Sequence, residues 1–161
     1  MEQAVNIISF YLNESTDDLG RNIEYIWTMT DDSLMHTHDV IQLLFPTTEE
    51  SSFNPDAPIL TESDIILFHQ NPKLRENLLA SFHRFLKVFG VLYIDGIVTG
   101  DFDTWIFATP NHNWMRFTRI IKCLNTLGFK DEAKAFLKSL ETNVKNPGDS
   151  LVFWQNAIKR L

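Results

Sequence analysis

Between residues 73 and 89, Leu74, Leu78, Phe82, Phe85, Leu86 and Phe89 recur every three or four positions and so share one side of a helix. Gly90 follows, where a C-cap glycine belongs. A stripe of that length must be buried, and the partners the sequence offers are further helices. Ala4 to Leu12 suits a first helix, and Ile23, Ile26 and Trp27 mark a short second one. Thr30-Asp31-Asp32 supplies an N-cap and early acids for a third, running to Phe45 and ended by Pro46. Thr61 caps a helix carrying Ile65, Ile66 and Phe68, and Pro110 precedes another over 111–127, stopped by Gly128. Asp131 caps a helix with Phe136, Leu137 and Leu140; Pro147-Gly148 breaks the chain, and Asp149-Ser150 starts the last helix, with Leu151, Trp154, Ile158 and Leu161 along one side. Helical signal lapses only at Val91–Thr99, which reads either as a small hairpin about Asp95-Gly96 or as a turn between helices. The expected fold is mostly α: a single compact helical domain over 1–161 with six to eight helices, and at most one short hairpin near 91–99.

With 161 residues, 44% of them hydrophobic, the chain is long enough to bury such a core without staples. The longest apolar run, Val88 to Ile94, falls far short of the roughly 18 residues a membrane span needs. The lone Cys123 has no partner for an internal disulfide, and Met1-Glu2-Gln3-Ala4 lacks a basic signal-peptide start. A soluble cytoplasmic, intracellular setting is therefore expected. Charge is uneven. Residues 1–71 hold 13 acids and one base, Arg21, for a net of -12; residues 72–161 hold 13 bases and 8 acids, for +5. Either the two halves neutralise each other, or the basic half meets an anion. The overall net charge of -7 argues against a nucleic-acid partner. Residues 46–60 carry three prolines and read as a long loop, of the kind that is usually functional or disordered.

The helix at 111–127 carries a second feature. At about 100° per residue, His112, Arg116, Arg119 and Cys123 form one stripe. It flanks the apolar face made by Trp114, Phe117, Ile120, Ile121, Leu124 and Leu127. Two arginines a turn apart beside a histidine can hold a carboxylate or phosphate. Equally, they can pair with acids of the N-terminal half. His36 and His38, two apart, diverge on a regular helix and cannot chelate one metal, and no CxxC or HExxH spacing occurs. Neither a nucleophile elbow nor a Gly-rich phosphate loop is present, and Cys123 lies far from a helix N-terminus that would activate it. No catalytic residue, cofactor or metal ligand is assigned.

Several blocks resemble, in order, the conserved region of opioid growth factor receptor proteins. Phe10-Tyr11-Leu12-Asn13-Glu14 is followed by an Asp18-Leu19-Gly20-Arg21 turn. His38-Asp39-Val40-Ile41-Gln42-Leu43-Leu44-Phe45-Pro46 is similar to the family's His-x-Tyr-Ile-Gln-Trp-Leu-Phe-Pro pattern, with Val40 and Leu43 in place of Tyr and Trp. Glu50-Ser51-Ser52-Phe53-Asn54 and Ala57-Pro58-Ile59-Leu60-Thr61 continue it, and Ser81 to Gly90 resembles a later segment. His112-Asn113-Trp114-Met115-Arg116-Phe117-Thr118-Arg119-Ile120-Ile121 looks like the second hallmark, while Trp105–Asn111 departs from the family's Arg- and Asn-rich stretch. The resemblance implies a helical, non-enzymatic receptor domain, nominally for an opioid growth factor (enkephalin-type) peptide.

Both hallmarks coincide with the polar constellations above. The expectation is a cleft in which His38, Gln42, His112, Asn113, Arg116 and Arg119 bind a peptide, a protein or an anionic small molecule. A shared polar network that only fixes how helices cross is the structural alternative. The functional alternative is an enzyme or sequestering protein for a phosphorylated small molecule, with His112 or His38 as acid/base.

Overall fold

The computed structural model describes residues 5–51, 54–102, 112–143 and 150–159. The chain forms two compact units, Met1–Arg84 and Phe85–Leu161. In the first, α1 (Ile7–Tyr11), α2 (Ile23–Thr28), α3 (Asp31–His36) and α4 (Val40–Leu44) are all short. Helices of one or two turns do not hold together alone, so caps and burial must fix them. Asn6, Asn22 and Thr30 each accept a backbone N–H with the side chain, at 3.0, 2.7 and 3.0 Å. α5 (Glu62–Gln70) opens on a full capping box between Thr61 and Asp64. α6 (Pro72–Phe89) carries the long apolar stripe: Leu74, Leu78, Phe82, Phe85, Leu86 and Phe89 are all buried.

The third helix departs from its expected course. Instead of running on to Phe45 it stops at His36; Thr37 is extended (φ -100°, ψ 101°), and His38 and Asp39 make a turn before α4. Thr, His and Asp are weak helix formers in succession. The Asp39 carboxylate makes no cap hydrogen bond to α4 and accepts from Arg21 at 2.7 Å. His38 and Gln42 therefore do not share a helix face. This break carries the count to nine helices among the described residues, within the mostly-α class the periodicities imply. The described residues of 46–60 contain no helix, yet the loop closes at its ends: Thr47 and Ile59 form a parallel bridge and Leu60 N–H donates to the Thr47 carbonyl at 2.8 Å.

Tyr11 is the hub of the first unit's core. Its ring packs edge-on to Phe68, 5.2 Å between centroids, and both side chains are fully buried. The hydroxyl donates to the Leu44 carbonyl and lies 2.9 Å from the Ser81 hydroxyl, which also accepts from Trp27 Nε1 at 3.0 Å. A phenol has one proton, so Ser81 supplies the proton of the bond it shares with Tyr11, and every polar atom is satisfied. Asn77 Nδ2 donates to the Tyr11 carbonyl at 2.6 Å. On the neighbouring turn, Arg84 donates to the carbonyls of Trp27 and Met29 at 2.8 and 2.6 Å and pairs with Asp31.

Beyond the end of α6, the described residues of the second unit form a hairpin and three helices. β1 (Leu92–Ile94) pairs antiparallel with β2 (Ile97–Thr99), Ile94 opposite Ile97. Both turn residues have positive φ, Asp95 at 52° and Gly96 at 80°, the combination a tight two-residue hairpin requires. α7 (His112–Thr126), α8 (Lys130–Asn143) and α9 (Ser150–Lys159) pack on one another. Gly90 and Gly128, at φ 91° and 90°, end α6 and α7, each with the following residue's N–H returning to a carbonyl five back, Val91 to Leu86 and Phe129 to Leu124. Phe117 is the centre, with Phe89, Phe136 and Trp154 edge-on at 5.0, 5.7 and 5.7 Å. Trp154 Nε1 donates to the Trp114 carbonyl at 3.0 Å. Among the described residues, no helix is long and apolar enough to cross a membrane. Ala4, Phe53, Trp105, Pro110, the Pro147-Gly148 break, Asp149, Leu161 and the side chain of His112 lie outside the described residues.

Replacing Tyr11 with phenylalanine leaves the Leu44 carbonyl and the Ser81 hydroxyl short of a partner in a dry core. A loss of about 1–3 kcal/mol in urea unfolding is expected. Tyr25→Phe, at an exposed site, is expected to unfold like the parent.

Candidate functional site

The only base among the first 71 residues is fixed at its centre of opposite charge. Arg21 Nε donates to Asp17 Oδ2 at 2.7 Å, and its Nη2 reaches Asp17 Oδ2 at 2.6 Å and Asp39 Oδ2 at 2.7 Å. The Asp17 side chain is fully buried, and its other oxygen accepts from the backbone N–H groups of Leu19 and Arg21 at 3.0 and 2.8 Å. That loop is the Asp18-Leu19-Gly20-Arg21 turn, with Gly20 at φ 79°. Burial alone lowers the Arg21 pKa, but the hydrogen bonds and charges of Asp17 and Asp39 outweigh it and the net direction is upward. The guanidinium thereby ties the turn after α1 to the turn before α4.

Beside that tie lies a cleft of about 490 Å³ in the first unit. Asp18, Asp39 and Gln42 line one part of it and Asn54 and Asp56 another, while Val5, Leu43, Pro55, Pro58 and Ile59 supply apolar surface. Gln42 is 9% exposed and holds the wall in place. Its Nε2 donates to Ser51 Oγ at 3.0 Å, and its Oε1 accepts from Asn54 Nδ2 at 2.7 Å. Asn54 Oδ1 in turn accepts from the Asp56 backbone at 3.2 Å. Two prolines and this clamp fix the wall. Its volume and mixed lining match a site for a small molecule or a few residues of peptide.

Of the residues singled out from the sequence, Gln42 lies in this cleft, and His38 is exposed in the turn adjoining Asp39. His112, Asn113, Arg116 and Arg119 belong to α7 in the second unit. Asn113 and Arg116 are buried, at 0% and 4% exposure, and Arg119 is half-buried. The Arg116 guanidinium sits 5.9 Å from the Phe85 ring centroid, in cation–π range. Burial pushes its pKa down to about 10, so it stays cationic at neutral pH. Burial likewise pushes the Cys123 thiol up, against the opposing pull of Arg119, which leaves the thiol protonated and unreactive. Sequence reasoning passed over Asp18, Asn54 and Asp56. The available signal was the proline-bracketed Asn54-Pro55-Asp56-Ala57-Pro58 segment directly after the first hallmark.

Residues 1–147 match the sequence profile described as the opioid growth factor receptor (OGFr) conserved region. The Homo sapiens opioid growth factor receptor is 30% identical over 139 residues, covering 76% of this chain and 20% of that protein. Opioid growth factor receptor-like protein 1 from Rattus norvegicus is 29% identical over 120 residues, 70% of this chain and 25% of its own length. Its Xenopus tropicalis counterpart is 29% identical over 140 residues, 77% and 26%. The chain thus spans about a fifth to a quarter of the curated relatives it matches. No solved structure matches.

Arg21→Met strands a buried carboxylate and is expected to cost about 3 kcal/mol in denaturant unfolding. Because the folded-state pKa of Arg21 is raised, its contribution is complete at every pH below the ordinary arginine value and disappears only above the raised one. The loss is therefore expected to be equal at about pH 6 and about pH 9.

Proposed function

Because the chain belongs to the opioid growth factor receptor conserved-region family, we propose that it is a non-enzymatic peptide- or protein-binding domain whose ligand enters the cleft of the first unit. The observation that carries this reading is the preformed wall of 54–59, clamped by Gln42 of the first hallmark. The names of the relatives add the ligand class, a peptide growth factor. Carboxylates on the lining oppose an anionic ligand at this place, so peptide is favoured over phosphorylated small molecule here. Gln42 and the adjoining His38 contact the ligand in this reading. His112, Asn113, Arg116 and Arg119 are proposed as a polar element of α7 in the second unit. Nothing observed favours the enzymatic alternative.

Titrating isotope-labelled protein with the opioid growth factor peptide tests the assignment. Saturable amide shifts centred on Gln42, Asn54 and Ala57 are expected. Gln42→Ala, which frees the wall, is expected to weaken binding about tenfold. Binding that leaves these amides unmoved, or no saturable binding, overturns the cleft as the site.

A further inference from the structure

The cleft's charge is more specific than its shape. Four carboxylates, Asp17, Asp18, Asp39 and Asp56, lie at or beside it, and one guanidinium, Arg21, serves two of them. Asp18 and Asp56 are exposed and take part in no ion pair with a described residue. Between them the lining is apolar or amide: Leu43, Pro55, Pro58, Ile59 and the Gln42–Asn54 pair. Low-polarity walls focus the field of the two carboxylates into the opening. The surrounding chain reinforces it, since the first 71 residues carry a net charge of -12.

Building on the peptide-binding reading above, we propose that the cleft selects a peptide segment bearing a lysine or arginine side chain flanked by apolar residues. The cationic head sits between Asp18 and Asp56, the aliphatic stem runs along Pro55 and Pro58, and a neighbouring apolar side chain covers Leu43 and Ile59. A long basic side chain suits this lining because its methylenes bury against the prolines while its head remains among carboxylates and water. The charge pairing is partly solvated, so it sets selectivity and salt dependence more than total affinity.

The test uses three capped peptides of one length, acetyl-Leu-Lys-Leu-Lys-Leu-amide and its versions with Gln or Glu in place of both lysines. Capping removes the terminal charges. The full chain is titrated with each, following the amides of Gln42, Asn54 and Ala57. The lysine peptide is expected to bind about tenfold more tightly than the glutamine peptide, and the glutamate peptide weakest. Added salt is expected to shrink the difference. In Asp18→Asn/Asp56→Asn the lysine preference is expected to vanish while the amide spectrum stays folded, both positions being exposed. If the double variant misfolds, the two single variants give the same comparison. Equal binding of lysine and glutamine peptides at these amides overturns the charge selection and leaves the cleft standing as a peptide site. Failure of all three peptides to move these amides overturns the selection as well, and the opioid growth factor titration then decides the cleft by itself.

Discussion

A tyrosine hydroxyl has one proton to give, and in the first unit two oxygens stand within reach of Tyr11. The conflict is resolved because Ser81 gives its own proton to Tyr11 and accepts another from the Trp27 indole. This short relay joins α1, α2, α6 and the end of α4, four elements of which three are too short to persist alone. Apolar burial supplies most of the stabilisation but tolerates sliding, whereas a buried hydroxyl relay has one satisfied geometry. The positions of α1 and α4 fix the two turns that Arg21 bridges, and those turns border the cleft.

Long helices were legible because their periodicity and their stops agree. Over 73–89 and 111–127 the apolar stripes, Gly90 and Gly128 all point to the same boundaries, and the observed ends lie within a residue of them. The capping box at Thr61 and the Asp95-Gly96 turn were likewise local signals. Elsewhere local rules gave way to distant side chains. Asp39 is one residue from a hallmark histidine, yet its carboxylate is taken by Arg21, 18 positions earlier, and the helix that the pattern continues breaks at the extended Thr37. The loop at 46–60 could be recognised as unusual, but its closure depends on Gln42 reaching Ser51 and Asn54. Of the cleft lining, Gln42 alone was singled out from the sequence as a site residue. The carboxylate rim was hidden because acidic residues in an acidic segment carry no distinguishing mark.

Arg116 shows how a pattern can be right about position and silent about role. The helical wheel puts it at the margin of the apolar face, and there it is, 4% exposed and over the Phe85 ring. Taking a guanidinium out of water is costly, and the depression of its pKa to about 10 records that cost. The aromatic face returns part of it.

The bridge between Thr47 and Ile59 has a thermodynamic reach beyond its one hydrogen bond at Leu60. By pinning both ends of the intervening segment, it places the entropic cost of closing that loop in folding. Pro55 and Pro58 act in the same sense by narrowing the unfolded ensemble. On the proposed reading, a ligand would meet a wall at 54–59 that is already held by Gln42, and contacts of modest area would translate into affinity without a folding tax. Recognition at such a wall would on that reading be a docking event with a small heat-capacity signature, and not the coupled folding that a long, acidic, proline-rich loop suggests in sequence.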